Sequence, residues 1–190
     1  MERVTGSALA LGLLLTAPLA AQGSPYVGDQ EQRIKALATE REQGLRAGAG
    51  LGLALAAELN GHAGPKHVLE LAAELGLTAG QRPAIEASFE RMRTEAVALG
   101  EQIVAAEEEL DRRFAHRHLD EAKLAELTAR IGELEGRLRF VHLRAHLETD
   151  AILTAAQRAR YVELRGYGGS GGAHVHGEHG ATPHGGHGGS

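Results

Sequence analysis

Two long stretches of the chain repeat apolar residues in steps of three and four. Ile85, Phe89, Met92, Ala96, Leu99, Ile103, Leu110 and Phe114 form the first series, with one longer step across Ala106. Leu124, Leu127, Ile131, Leu134, Leu138, Val141 and Ala145 form the second. A repeat of about 3.5 residues places each series on one seam of a helix, as in a coiled-coil-like pair. The break between them, His116-Arg117-His118-Leu119-Asp120, is short and offers Asp120 as an N-cap. Short connections make neighbouring helices antiparallel, so the pattern predicts a long helical hairpin.

Each long series is introduced or followed by the same five-residue signal. Leu77-Thr78-Ala79-Gly80-Gln81 recurs as Leu153-Thr154-Ala155-Ala156-Gln157. Each Thr-x-x-Gln is a capping box, in which the threonine hydroxyl accepts from the N3 amide and the glutamine side chain reaches back to the N-cap amide. The position that would staple the preceding leucine is arginine in both copies (Arg82 and Arg158), so Leu77 and Leu153 must pack elsewhere. The second box starts a final helix carrying Tyr161 and Leu164 and ending at Gly166. Upstream, Asp29 caps a predicted helix through Ile34 and Leu37, and Thr39 restarts it towards Leu45. Leu51, Leu55 and Leu59 make one stripe before Asn60-Gly61, and Lys66 to Leu75 reads as a short helix with Pro65 and Gly76 marking its ends.

Both termini differ from this frame. Ala8 to Leu15 is a continuous apolar run behind Arg3, followed by Pro18 and the small residues Ala20, Ala21 and Gly23. That run falls short of the roughly 20 residues a membrane span requires and reads as a cleavable secretory signal. Its retention as an N-terminal anchor is the alternative. After Gly166 the chain is rich in glycine and histidine without apolar period, and such a segment cannot bury a core. The expected organisation is therefore a signal peptide (1–23), an N-terminal helical segment (24–64), an all-α hairpin domain with short flanking helices (65–166) and a disordered His/Gly-rich tail (167–190).

Composition narrows the function. The chain has 190 residues, 20 basic and 25 acidic, mixed along its length, so no basic patch invites nucleic acid. Cysteine is absent, which excludes disulfides, thiolate ligands and a cysteine nucleophile. No Gly-x-Ser-x-Gly, phosphate loop or His-Glu-x-x-His occurs, and the chain does not read as an enzyme. The anomaly is histidine, with 11 copies.

His142 and His146 are four residues apart, hence one turn apart on one helical face, a spacing that lets two imidazoles reach one ion. They flank the apolar seam. With the turn near Arg117 and His118, the hairpin brings them level with Phe89, Glu90 and Arg93. His67 on the short preceding helix must fold back over the same open end. His67, Glu90, His142 and His146 are therefore the predicted ligand set, with Glu86, Glu70 and His62 in reserve; for the glutamates a solvated face or an ion pair is the competing reading. In the tail, His174, His176, His179, His184 and His187 lie in a glycine matrix that could wrap Zn²⁺, Cu²⁺, Ni²⁺ or Co²⁺ through imidazole. His116 and His118 read as polar turn residues.

Paired LTxxQ boxes bracketing a helical hairpin behind a signal segment resemble the Spy/CpxP and heavy-metal-resistance superfamily of periplasmic proteins. The similarity covers about Pro65 to Gly166. His67-Val68-Leu69-Glu70 resembles the His-containing helix of its metal-binding branch, which includes CnrX-type nickel and cobalt sensors and ZraP-type zinc proteins. Val141-His142-Leu143-Arg144-Ala145-His146 resembles that branch's second-helix motif. Leu71 stands where the sensor pattern carries a further histidine. The resemblance implies that His67, His142 and His146 occupy ligand positions, with Glu90 approximating the glutamate of the first long helix. It implies a periplasmic transition-metal-binding protein of metal resistance, sensing or homeostasis, possible pairing as a homodimer, and, for a sensor, a membrane partner. The alternative within the same superfamily is an ATP-independent chaperone that holds unfolded client proteins.

Overall fold

In the computed structural model, which describes residues 24–167, every regular element is a helix. A 3₁₀ turn over Asp29–Glu31 precedes α1 (Thr39–Ala47), α2 (Leu55–Glu58), α3 (Pro65–Glu70), α4 (Gln81–Ala115), α5 (Glu121–Ile152) and α6 (Ala155–Leu164). The expected signal segment and all of the expected tail except Tyr167 lie outside the described residues.

Helices α4 and α5, with 35 and 32 residues, are the two apolar series folded without interruption. Asp120 caps α5 by accepting from the Lys123 backbone N–H at 2.8 Å. Ion pairs across the hairpin fix its direction: Glu109 meets Lys123 at 3.9 Å, Glu95 meets Arg144 at 2.6 Å, and Arg91 meets Glu148 at 2.7 Å. Numbers rise on one helix as they fall on the other, so the pair is antiparallel. Met92, Ala96, Leu99 and Ile103 pack with Leu134, Leu138, Val141 and Ala145 along the seam. Phe114 continues the pattern in sequence but is exposed at the hairpin tip, where no third element covers it.

The N-terminal segment supplies that third element further along. Ile34, Leu37 and Leu45 are buried in the same cluster as the seam residues. Helix α1 lies so close to α4 that a Cβ on Gly100 would stand 2.6 Å from the Leu45 carbonyl carbon and closer still to its oxygen. Only a residue without a side chain admits this approach. The helix expected from Asp29 through Leu37 is replaced by the single 3₁₀ turn, preceded by Gly28 in the left-handed region and lacking a side-chain cap. Leu51, Leu55 and Leu59 do not form a buried stripe: Leu51 has φ +45°, α2 is a single turn, and all three side chains are exposed. Likewise the predicted helix over Lys66 to Leu75 is regular only to Glu70 and continues as turns to Gly76.

Both capping boxes carry their reciprocal bonds. Thr78 Oγ1 accepts from Gln81 N at 3.2 Å while Gln81 Oε1 accepts from Thr78 N at 3.1 Å. The second box repeats this at 3.2 and 2.9 Å between Thr154 and Gln157. Leu77 and Leu153, deprived of staples, pack into a second cluster with Val68, Leu75, Ile85 and Tyr161. This smaller core fastens α3 and α6 to the open end of the hairpin.

Candidate functional site

Helix α5 passes under the loop joining α2 to α3, and that loop is tied down residue by residue. Asp150 pairs with His62 Nδ1 and accepts from the Ala63 backbone N–H at 3.0 Å. The His62 carbonyl lies 2.9 Å from His146 Nδ1. A carbonyl can only accept, so Nδ1 of His146 is the donor in this contact and Nε2 is the nitrogen left for another partner. Gly64 makes room for that edge, since a Cβ there would sit 2.9 Å from His146 Nε2.

His142, one turn earlier, is also buried, and its Nε2 has no hydrogen-bond partner among the described residues. Burial, and secondarily the neighbouring His146, hold its protonation below the ordinary histidine range. A buried nitrogen left unpaired carries a desolvation penalty of about 1–3 kcal/mol; Gln32 Oε1, away from this cavity, is the other such buried side-chain atom among the described residues. The two histidines thus occupy the covered flank of α5, whereas the seam pattern alone leaves them at its margin.

The carboxylate of the site comes from Glu58, at the end of α2, which is only 6% exposed. Its Oε1 accepts from the Tyr161 hydroxyl at 2.8 Å, Arg165 Nε at 3.0 Å and the Tyr167 hydroxyl at 3.1 Å. Its Oε2 faces His146 Nδ1 at 3.9 Å. Burial pushes the Glu58 carboxyl upward, but Tyr161, His67, Tyr167 and Arg165 together outweigh burial and hold it below the usual carboxylate range. Burial and then Glu58 push the Tyr161 hydroxyl well above the ordinary phenol range, so it stays a donor. His67, on α3, places Nδ1 3.4 Å from both Tyr161 Oη and Glu58 Oε1.

Glu58, His67, His142 and His146 line one cavity of about 510 Å³ between α2, α3, α4 and α5. Three of the four residues predicted as the central set are therefore brought to one space. Glu90 is not: its side chain is 63% exposed, 3.9 Å from Arg93, and outside the lining. Of the reserves, Glu86 pairs with Arg82, Glu70 with Lys66, and His62 with Asp150. Among the described residues, no three histidine or carboxylate side chains are already gathered into a ready ligand set; they stand around a space rather than around a point. The predicted tail ligands His174, His176, His179, His184 and His187 lie outside the described residues.

Compared with family models, with curated proteins and with solved structures, the chain has no match.

Proposed function

We propose that the chain is an exported, periplasmic protein that binds a divalent transition-metal ion, Zn²⁺, Cu²⁺, Ni²⁺ or Co²⁺, through His67, His142 and His146, and that it serves metal resistance, sensing or homeostasis. One observation carries the reading: imidazoles from two helices border one cavity, and the buried Nε2 of His142 has no other partner. Imidazole nitrogen is the ligand these borderline ions accept. His146 is prepared for the role, because the His62 carbonyl holds its Nδ1–H and leaves Nε2 for an ion, the outer-shell device common among metal-ligating histidines. Glu58 takes the carboxylate role that the resemblance assigns to Glu90. Its Oε1 is held by Tyr161, Arg165 and Tyr167, and Oε2 lies 3.9 Å from His146 Nδ1. Ligation by His67 requires only Nε2, since Nδ1 lies against Tyr161 and Glu58. The role is binding, with no catalytic step, and the tail histidines form a second, looser class of site.

Titration of Zn²⁺, Cu²⁺, Ni²⁺ and Co²⁺ into three proteins tests this: wild type, a His142→Ala/His146→Ala variant, and a form ending at Gly166. The cavity site is expected to survive tail removal and to vanish in the double variant. Binding that is unchanged in the double variant and lost with the tail would overturn it.

A second reading, ATP-independent holding of unfolded clients, draws on Phe140 and Leu147. They lie seven residues apart on one exposed face of α5, and both are about three-fifths exposed (60% and 62%). Suppression of client aggregation by metal-free protein supports this reading, and no suppression at stoichiometric protein removes it.

A further inference from the structure

The cavity is much larger than an ion needs. At about 510 Å³ it falls in the range of small-molecule pockets, roughly 300–1,000 Å³, which are mostly apolar with a few convergent polar groups. Beyond the histidines and Glu58, its walls include Leu51, Leu55, Phe89 and Met92, and its cations are Lys66 and Arg93.

The charge balance of these walls selects a ligand class. Lys66 and Arg93 have their nearest acids, Glu70 and Glu90, at 3.9 Å, the outer limit of an ion pair, and all four side chains are largely exposed. Such contacts contribute little and leave both cations able to turn towards a new anion. The one carboxylate in the lining, Glu58, is already bonded by Arg165 and two tyrosines. The lining thus joins apolar side chains to two weakly paired cations, and its only acid is compensated.

We propose that this cavity binds a small organic monocarboxylate of medium-chain fatty-acid size, its carboxylate against Lys66 and Arg93 and its hydrocarbon against Leu51, Leu55, Phe89 and Met92. The proposal does not rest on metal binding, because Lys66 and Arg93 take no part in the proposed metal site and the ligand is probed with metal removed.

The test is isothermal titration of the chelator-treated full chain with octanoate, acetate and 1-octanol. Acetate keeps the charge without the hydrocarbon, and 1-octanol keeps the hydrocarbon without the charge. Octanoate is expected to saturate a single site at least tenfold more tightly than either. Lys66→Gln/Arg93→Gln and, separately, Leu55→Glu are each expected to weaken it at least fivefold. These side chains are exposed, so the substitutions leave the core intact. Absence of saturable octanoate binding overturns the proposal. Equal binding of 1-octanol overturns the carboxylate class, and octanoate binding unchanged in both variants overturns the location.

Discussion

The side chains of Gln81 and Gln157 exchange two hydrogen bonds, Gln81 Nε2 to Gln157 Oε1 at 2.8 Å and Gln157 Nε2 to Gln81 Oε1 at 3.0 Å. Each also closes its own capping box, and each amide reaches a backbone carbonyl across the junction, Ile152 for Gln81 at 2.9 Å and Leu75 for Gln157 at 3.3 Å. The repeated motif is therefore one joint: the start of α4 and the start of α6 are clasped together at the open end of the hairpin.

Gln81→Ala and Gln157→Ala should each lower the unfolding free energy by about 1–2 kcal/mol, the sum of a lost cap bond and a lost partly buried amide pair. Because both remove the same exchange, the double variant should lose less than the sum. Urea unfolding of the four proteins measures this, and strict additivity would show that the two boxes act separately.

Gly100→Ala should destabilise by about 1–3 kcal/mol, since the added methyl meets the Leu45 backbone and α1 must move, outweighing the roughly 1 kcal/mol that alanine gains in a helix interior. Gly132→Ala and Gly136→Ala on α5 meet nothing within 4 Å and should stabilise by about 0.5–1 kcal/mol. Thermal unfolding of the three variants compares them directly, and the same sign at all three positions would refute the close approach of α1.

Glu58→Ala removes the acceptor shared by Tyr161, Arg165 and Tyr167 and leaves the half-buried Arg165 guanidinium without its partner. Losing hydrogen bonds to a buried charged acceptor costs about 1.5–3 kcal/mol. Glu58→Gln keeps the shape and an acceptor oxygen, and should lose clearly less. Near-ultraviolet circular dichroism, which senses tyrosine packing, should change strongly in the first and weakly in the second; equal, small effects would mean that the carboxylate organises nothing.

Acid should weaken the fold in two steps. His142 is held below its ordinary value of 6.5 by burial and by His146, so near that pH the unfolded chain binds a proton that the folded chain refuses. Stability is thus complete above about pH 6.5 and declines as pH falls from there towards the lower folded value. Glu58, held below its ordinary 4.5, contributes stability above that pH and loses it on further acidification through its folded value. Urea midpoints between about pH 7.5 and pH 4 should show the upper step in wild type and not in His142→Phe. An upper step that persists in His142→Phe would assign it to another group.

The hairpin was legible because its signals are periodic and local: a seam repeating along 85–114 and 124–145, Asp120 as a cap, and two capping boxes. The burial of Ile34 and Leu37 was not, since two isolated apolar residues in a chain without helical period give no indication of what they cover. His142 and His146 lie one residue beyond the seam positions Val141 and Ala145, and that flank of α5 is buried because α3 and the loop before it cross there, a placement settled by tertiary packing. Glu58 escaped for the same reason. It ends a four-residue helix, and its partners Tyr161, Arg165 and Tyr167 follow about a hundred residues later, where no spacing rule applies. Glu90 shared the level of the histidines along the hairpin but not their face.

Those long separations have a kinetic consequence. Cross-hairpin contacts begin next to the turn, and each pairing brings the following one within reach, so α4 and α5 can zip together early at small loop-closure cost. The bonds from His146 to His62 and from Glu58 to Tyr161 join residues 84 and 103 positions apart and must wait for that hairpin. What assembles late through few contacts also parts first. The α2–α3 flank is therefore expected to open from α5 at a lower free energy than the hairpin itself needs to come apart.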